Sequence, residues 1–263
     1  MHDAQVDPDY ALLDRRGLAH GLFYPRRDMS GPPPGAVDHL VDVADGVRVA
    51  CRSYASDRSH PTLLFFHGNG EIASDYDMIA AAYHEIGVNL FVADYRGYGA
   101  SEGTPSFASL IRDSHPVASR FHALLDEEGF SSKRFVMGRS LGGLPAAELA
   151  ASEPQQLAGL IIESSAPSLE RIRQRAGIDE SDSEIAGLVE AHAMRLAAIR
   201  LPVLHIHGEW DEIVPLQQGI AFHESLTTDV KQLVIIPGAG HNDIGWVGRE
   251  RYFEALAGFI AKA

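Results

Sequence analysis

The 263-residue chain has little of several features that mark particular classes of protein. Its one cysteine, Cys51, cannot form an internal disulfide, so the fold does not depend on an oxidising compartment. No apolar run reaches the roughly 18 residues that a membrane span requires. The first residues, MHDAQVDPDY, contain acids and a proline where a signal peptide has a basic start and an apolar core. Together these shortages predict a cytoplasmic protein with no stable membrane insertion.

Positive charge is also scarce. The chain has 22 Lys and Arg against 36 Asp and Glu, which gives a formal net charge of -14 at pH 7. Such a charge repels phosphate backbones and anionic lipid headgroups at long range. We therefore expect no nucleic-acid partner. The sequence does not indicate an oligomeric state.

Apolar residues are plentiful, and their arrangement predicts an α/β fold. Hydrophobic residues make up 45% of the chain, and short apolar runs alternate with helical stretches. Six runs are apolar on both faces, as expected of strands that helices cover on both sides: 62–66, 89–94, 134–138, 157–164, 202–208 and 231–238. Strands that alternate with helices imply a mostly parallel sheet with right-handed crossovers. Two further runs flank Asp45-Gly46, which predicts an N-terminal antiparallel hairpin.

The same pattern predicts how the chain is organised. Residues 1–35 are expected to be an irregular segment that ends in GPPPG, and residues 36–263 to be a single domain with helices on both faces of the sheet. The interval before the run at 202–208 is longer than a crossover helix needs, and it contains an amphipathic helix from Ser183. We expect the region 165–200 to form a small lid over the carboxyl edge of the sheet, where open α/β sheets bind ligands.

One serine stands among glycines at a junction between a strand and a helix. The stretch FVMGRSLGGLPAAEL, residues 135–149, contains Gly-x-Ser-x-Gly with Ser140 at its centre. A strand that turns into a helix within one or two residues forces this serine into a strained backbone conformation, and the flanking glycines relieve the crowding. Pro145 fits the first turn of the helix, where backbone N–H groups have no intrahelical acceptor. Ser140 is therefore the candidate nucleophile.

A serine hydroxyl is a poor nucleophile at neutral pH, so Ser140 needs a base, and the base needs an acid to hold its tautomer. Among the 13 histidines, His241 is selected because it follows the last predicted strand, in the loop PGAGHND. The candidates for the acid are three carboxylates just after the run 202–208, Glu209, Asp211 and Glu212, together with Glu163 at the end of the run 157–164. Asp243 is close to His241 in sequence but is expected to face solvent.

Five stretches together resemble the α/β-hydrolase family of serine hydrolases: LLFFHGNGE, VADYRGYGASEG, VMGRSLGG, LHIHGEWDEIVP and IPGAGHND. The combination is similar to the branch that contains membrane-associated depalmitoylases, other thioesterases and bacterial esterases. The resemblance covers nearly the whole chain from about Asp38 and implies an α/β-hydrolase fold. It also implies a catalytic triad in the chain order Ser140, Asp211, His241, and the family spacing favours Asp211 as the acid.

The same resemblance implies an oxyanion hole of two backbone N–H groups. One belongs to Leu141, directly after the nucleophile and at the positive end of the following helix. The other comes from the HGNG loop, where Asn69 is expected to supply it. His67 in that loop is expected to be structural. The implied chemistry needs no metal and no organic cofactor.

The expected activity is hydrolysis of a small-molecule carboxylic ester or thioester through an acyl-enzyme intermediate. Three alternatives stay open: cleavage of an amide or peptide with the same triad, acyl transfer to an acceptor other than water, and a non-catalytic binding protein on the same fold. The motifs do not indicate the acyl chain length or the leaving group.

Two other sets of residues have competing explanations. His205 and His207 share a strand face, but no third metal ligand is apparent, so packing is the expected role. Four arginines of the region 165–200 are expected to form a solvated face: Arg171, Arg173, Arg175 and Arg195. The sharper hypothesis is that one of them binds a carboxylate of the substrate.

Overall fold

The computed structural model describes residues 7–18 and 21–263, and this part of the chain contains one eight-stranded sheet. The strands are β1 (Ala36–Asp42), β2 (Arg48–Tyr54), β3 (Thr62–Phe66), β4 (Asn89–Ala93), β5 (Arg134–Arg139), β6 (Gly159–Glu163), β7 (Val203–Gly208) and β8 (Lys231–Ile236). Their order across the sheet is β1-β2-β4-β3-β5-β6-β7-β8. β2 pairs antiparallel with β1 and β4, and the remaining pairs are parallel. The predicted mostly parallel sheet with an N-terminal antiparallel hairpin is confirmed.

Helices cover both faces of the sheet. They are α1 (Ala11–Arg15), α2 (Ala80–Glu85), α3 (Phe107–Arg112), α4 (Ser114–Glu127), α5 (Gly143–Ser152), α6 (Leu169–Arg175), α7 (Ser183–Ala197), α8 (Leu216–Ser225), α9 (Ile244–Val247) and α10 (Arg249–Lys262). Side chains alternate along a strand, so Leu64 and Phe66 join one core and Leu63 and Phe65 the other. Both cores are buried, which explains why the predicted strands are apolar throughout. Within residues 7–18 and 21–263 we find no helix with the length and apolarity needed to cross a membrane.

The hairpin turns where the sequence predicts it. Asp42 pairs with Arg48 as the last register position of β1 and β2. Between them, Asp45 and Gly46 adopt left-handed backbone angles, with φ of 67° and 69°. Glycine reaches this region without steric cost, and aspartate tolerates it better than most residues. The Asp-Gly pair therefore reverses the chain.

The segment predicted to be irregular is residues 1–35, and its described residues, 7–18 and 21–35, contain one short helix, α1. Its Leu12 and Leu13 are buried, and the Asp14 carboxylate accepts hydrogen bonds from the N–H groups of Phe107 and Ala108 at 2.8 and 2.9 Å. A carboxylate is favourable at the N-terminus of a helix such as α3. A five-residue helix has little stability alone, so α1 depends on its tertiary contacts. The hydrophobic periodicity of the sequence does not reveal such a helix. The division of the chain at residue 35 stays a prediction.

Two helices, α6 and α7, occupy most of the region 165–200. α7 begins at Ser183, where the apolar pattern predicts a helix, and the Asp182 side chain caps it by accepting the N–H of Ile185 at 3.2 Å. His192 lies on its buried face and contacts the Tyr10 hydroxyl and the Pro167 carbonyl oxygen, both at 2.9 Å. The role of this region as a lid stays a prediction.

Candidate active site

The turn from β5 into α5 holds Ser140 in a strained conformation. Its φ is 52°, in the left-handed region, which costs a non-glycine residue about 1–3 kcal/mol. The turn is tight because backbone segments touch where the neighbouring glycines lie. A Cβ at Gly138 would overlap the backbone of Gly142, and a Cβ at Gly142 would overlap the carbonyl oxygen of Phe66 at the end of β3. The spacing of the glycines around Ser140 therefore follows from close backbone contact.

His241 comes from the loop after β8 and lies against Ser140. Its Nε2 is 2.9 Å from the Ser140 Oγ. The Asp243 carboxylate accepts the N–H of Gly240 at 2.7 Å, and this hydrogen bond bends the loop. The geometry suits a Ser140 hydroxyl that donates to an unprotonated Nε2. This is the relation between an alcohol nucleophile and a general base.

Asp211 lies three residues after the end of β7 and faces the other side of the imidazole. Its Oδ2 accepts the His241 Nδ1–H at 2.8 Å, and its Oδ1 accepts the N–H groups of Ile213 and Val214 at 3.0 and 2.7 Å. Burial acts to raise the pKa of Asp211, but the hydrogen bonds from His241 and Val214 outweigh it and hold the pKa below its ordinary value of 3.8. The carboxylate is therefore ionised at neutral pH and fixes the proton on Nδ1.

The loops after β7 and β8 meet because their backbones are hydrogen-bonded to each other. The N–H of Glu209 donates to the Ile236 carbonyl oxygen at 3.0 Å, and the N–H of Trp210 donates to that of Ala239 at 2.8 Å. A Cβ at Gly208 would overlap the carbonyl oxygens of Ala239 and Gly240. This close approach carries Asp211 to the imidazole.

The other carboxylates considered as the acid lie elsewhere. Glu163 accepts hydrogen bonds from Arg139 Nε at 3.1 Å and from the Tyr252 hydroxyl at 2.6 Å. Glu209 accepts the N–H of Gly238 at 2.9 Å, and Glu212 is exposed. Of the four candidates, Asp211 is the one that the structure brings to the ring of His241.

The HGNG loop follows β3 and lies beside the serine. Asn69 and Leu141, the residues expected to supply the oxyanion hole, line the same cavity as Ser140. His67 is buried, with its ring nitrogens 2.8 Å from the Gly68 carbonyl oxygen and 3.1 Å from Asp94 Oδ1. It braces the loop from below, as expected of a structural residue.

A cavity of about 570 Å³ opens over Ser140. Its walls come from the N-terminal segment, the start of α5 and the region around α6. Apolar side chains from all three parts line it, together with one residue from the loop after β7: Leu18, Leu22, Leu141, Leu144, Ile172 and Ile213. Polar side chains also line it, among them those of Ser140, Asn69 and His241. An apolar pocket with a few convergent polar groups is typical of a small-molecule site.

Sequence reasoning does not identify the N-terminal wall of this cavity. The Asn69 side chain holds that wall in place, since its Oδ1 accepts the Tyr24 N–H at 2.9 Å and its Nδ2 donates to the Leu22 carbonyl oxygen. The Tyr98 hydroxyl donates to the same Oδ1 at 2.6 Å. The apolar run LFY, residues 22–24, is a weak signal of this wall in the sequence.

The arginines of this region do not form one solvated face. Arg171 lines the cavity and donates to the Ile213 carbonyl oxygen at 2.6 Å. Arg173 is buried and pairs with Glu170 at 2.5 Å, because an i,i+3 spacing brings the two charges together. Arg195 pairs with Glu148 at 3.6 Å. The side chain of Arg175 lies outside the described residues.

His205 and His207 support the loop that carries Asp211. The His205 Nε2 lies 3.1 Å from the His207 Nδ1, and the His207 Nε2–H donates to the Val214 carbonyl oxygen at 2.8 Å. Desolvation by burial lowers the pKa of both imidazoles, so both are neutral at pH 7.

Two family models match the chain. A model described as serine aminopeptidase, S33, matches residues 57–176, and one described as phospholipase/carboxylesterase matches residues 117–262. The fold and these matches define the class as an α/β-hydrolase-fold protein.

Relatives of known name extend the likeness over almost the whole chain. The chain is 30% identical over 267 residues to human alpha/beta hydrolase domain-containing protein 17B, a match that covers 97% of this chain and 88% of that protein. It is 32% identical over 219 residues to the alpha/beta hydrolase domain-containing protein aho-3 of Caenorhabditis elegans. That match covers 81% of this chain and 61% of the length of aho-3. The chain belongs to the α/β-hydrolase family, and this membership supports a hydrolase.

Solved structures show the same fold. The Pyrococcus furiosus esterase Pf2001 matches with a TM-score of 0.71 at 18% identity, covering 90% of this chain and 98% of that one. Est1E from Butyrivibrio proteoclasticus, with ferulic acid bound, matches with a TM-score of 0.69 at 22% identity, covering 85% of this chain and 98% of that one. At these identities the likeness is one of fold.

Proposed function

We propose that the protein is a serine hydrolase that cleaves carboxylic esters or thioesters through an acyl-enzyme intermediate. One observation carries the proposal: Ser140, His241 and Asp211 form a continuous chain of hydrogen bonds at the wall of an apolar cavity. The family membership supports it. The proposed substrate is a small acyl ester or thioester, with no nucleic-acid partner. The cytoplasmic location stays a prediction from the sequence.

In the proposed first step, the Ser140 Oγ attacks the substrate carbonyl carbon while His241 Nε2 takes its proton. The Asp211 carboxylate stabilises the imidazolium because it accepts the Nδ1–H. The tetrahedral intermediate then collapses, the bond to the leaving group breaks, and His241 returns the proton to the departing oxygen or sulfur. Ser140 is left acylated.

In the second step, a water molecule takes the place of the alcohol. His241 removes a proton from the water as it attacks the acyl carbon, and it returns that proton to the Ser140 Oγ as the carboxylic acid leaves. Both tetrahedral intermediates carry negative charge on the former carbonyl oxygen. We assign the stabilisation of this oxyanion to the backbone N–H groups of Asn69 and Leu141. Such a donor contributes about 3–4 kcal/mol to transition-state stabilisation.

The cavity supports an acyl group rather than a peptide as the bound part of the substrate. Its apolar lining favours burial of an alkyl or aryl chain, at about 0.8 kcal/mol for each buried CH₂ group. A non-catalytic binding protein does not require a base at hydrogen-bond distance from a strained serine. It also does not require an acid that orients this base. We therefore rank that alternative below the enzyme, with amide cleavage and acyl transfer between the two.

An activity panel tests the proposal. p-Nitrophenyl esters of increasing acyl length, matched acyl thioesters and matched p-nitroanilides are assayed with the wild type, Ser140→Ala and Ser164→Ala. Ser164 is a matched control, because it also has a positive φ, 44°, at the end of the neighbouring strand, and its hydroxyl has no hydrogen-bond partner among the described residues. We expect ester or thioester turnover in the wild type and Ser164→Ala, and none in Ser140→Ala.

Other outcomes of the panel separate the alternatives. Faster turnover of anilides than of esters would favour an amidase. Partition of the acyl group to an added alcohol, in preference to water, would favour a transferase. A folded wild type that turns over none of the three series would favour a binding protein.

A further inference from the structure

Arg139 occupies the variable position directly before Ser140 and lines the cavity, and its guanidinium lies in a buried cluster of charges. Its side chain is 11% exposed and lies between two carboxylates. The Nε donates to Glu163 at 3.1 Å, and Nη1 pairs with Glu71. Burial acts to lower the pKa of the guanidinium, but the two carboxylates outweigh it and raise the pKa further above its ordinary range.

The same guanidinium also contacts the loop that carries His241. Its Nη2 donates to the backbone carbonyl oxygen of His241 at 2.9 Å and to the Asn242 side-chain oxygen at 3.0 Å. These bonds attach the residue before the nucleophile to the residue that bears the base. The position of the imidazole relative to the Ser140 Oγ therefore depends on Arg139 as well as on Asp211.

On its other side, Arg139 reaches the HGNG loop through Glu71. The Glu71 Oε2 accepts the Gly68 N–H at 2.8 Å and the Tyr76 hydroxyl at 2.9 Å, while its Oε1 faces Arg139. The contact is close, since a Cβ at Gly68 would lie 2.5 Å from Arg139 Nη1. Gly68 directly precedes Asn69, so the orientation of the Asn69 N–H depends on this pair of charges.

Glu163 closes the cluster beneath the site. Its second carboxylate oxygen accepts the Tyr252 hydroxyl at 2.6 Å, and that hydroxyl lies 3.0 Å from the hydroxyl of Tyr83. The four acceptors of Arg139 thus come from the HGNG loop, the end of β6 and the loop after β8. A planar guanidinium with five N–H donors can serve all of them at once, whereas an ammonium has three donors and no fixed plane.

We propose that Arg139 is a positioning residue. It holds the loop that carries His241 and the HGNG loop in place relative to Ser140. The proposal rests on the proposed function, since it concerns the geometry of that reaction. The simpler explanation is that Arg139 only stabilises the fold as a buried ion pair. The two explanations predict different effects of a conservative substitution on kcat when the variants compared have equal stability.

The chain offers a matched control on the same strand. Arg134 begins β5, is buried to the same extent as Arg139, and pairs with Asp126 at the opposite end of the strand from Ser140. Arg139→Lys and Arg134→Lys each keep one buried positive charge and lose the planar fork. Each is compared with the wild type for its melting temperature and for kcat and KM with a short p-nitrophenyl ester.

We expect Arg139→Lys to lower kcat about 100-fold with KM changed less than threefold, because a displacement of about 1 Å can cost a factor of this size. Arg134→Lys should lose melting temperature with kcat unchanged. In Arg139→Ala, added guanidinium at millimolar concentration should raise kcat at least tenfold above the value without it. Methylammonium should not raise it. Rescue of this kind is not expected of a residue that only stabilises the fold.

Several results would overturn the proposal. They are a kcat of Arg139→Lys within threefold of the wild type, an equal loss of kcat in Arg134→Lys, and no rescue by guanidinium. Failure of both Arg139 variants to fold would leave a structural role alone and would also overturn it. A wild type that neither turns over the ester nor reacts with a fluorophosphonate would instead contradict the proposed function.

Discussion

The catalytic edge and the substrate wall of this protein are built in different ways. We use catalytic edge for the proposed triad, Ser140, Asp211 and His241, which lie one to five residues beyond the ends of β5, β7 and β8. The substrate wall comprises the cavity-lining residues of the N-terminal segment and of the region around α6. These lie on loops and on the seven-residue helix α6, outside the strands. The edge derives its geometry from strand register, and the wall derives its geometry from side-chain contacts.

This difference separates chemistry from selectivity. Neighbouring strands β5, β6, β7 and β8 are held in register by parallel pairing, so the loops at their carboxyl ends meet at fixed distances. The wall is held by side-chain contacts, among them the hydrogen bonds of the Asn69 side chain to the Leu22 and Tyr24 backbone. Changes at the edge should reduce turnover of every substrate, and changes in the wall should alter which substrates bind.

The largest expected effect comes from Asp211→Asn at the edge. The amide keeps the shape of the carboxylate but loses its charge and favours the wrong tautomer of His241, so kcat should fall about 10⁴-fold for every acyl length. The measurement is kcat for a series of p-nitrophenyl esters. Glu212→Gln, the adjacent exposed carboxylate, is the control and should stay within twofold. A comparable loss in Glu212→Gln would mean that the acid is misassigned.

Next in size is Ile172→Trp in the wall. The larger ring should occupy part of the 570 Å³ cavity, so kcat/KM should fall about 100-fold for long acyl chains and less than threefold for acetate. Ile178→Trp is the control, since Ile178 follows the same helix but does not line the cavity. Equal losses for acetate and long chains would show that the wall and the edge are not separable.

Asn69→Ala tests the hydrogen bonds that connect the HGNG loop, beside the catalytic edge, to the substrate wall. The backbone N–H stays, but the bonds to Leu22 and Tyr24 are lost, so KM should rise about tenfold, the usual effect of removing one or two hydrogen bonds, with kcat nearly unchanged. Asn89→Ala removes a comparable side chain that bonds the Ser56 backbone away from the cavity, and it should change stability alone. A fall in kcat at constant KM would place the Asn69 side chain in the chemistry.

The edge was more accessible to sequence reasoning than the wall. Gly138 and Gly142 mark a turn whose backbone contacts permit no Cβ, and His241 is marked by its place after the last strand. The sequence leaves the acid ambiguous because four carboxylates lie at or just beyond the ends of two strands. Its selection depends on hydrogen bonds between the loops after β7 and β8, which no local pattern encodes.

The wall and the charge cluster depend on contacts between distant parts of the chain. The N-terminal segment lines the cavity because Asn69, about 45 residues away, bonds its backbone. Arg139 has acceptors up to 103 residues distant in sequence. The hydrophobic periodicity of a single sequence reveals neither α1 nor these contacts.

The smallest effect on activity is expected at His115, outside both regions. Its ring nitrogens lie 3.7 Å from Glu148 and 2.7 Å from Glu153, and these carboxylates raise its pKa from 6.5 to about 9. A raised histidine pKa stabilises the fold fully below pH 6.5, and the stabilisation is lost as the pH rises through about 9. The melting temperature of the wild type should therefore fall more over this range than that of His115→Gln, with kcat/KM equal. Parallel melting curves would contradict the assignment.

The acyl-enzyme intermediate offers the most direct test of the proposed chemistry. Rapid acid quench of the wild type with a p-nitrophenyl ester, followed by intact and peptide mass spectrometry, measures where the acyl group resides during turnover. The expected result is one added acyl group on Ser140 in the wild type and none in Ser140→Ala. An adduct on another residue, or turnover that persists in Ser140→Ala, would contradict it.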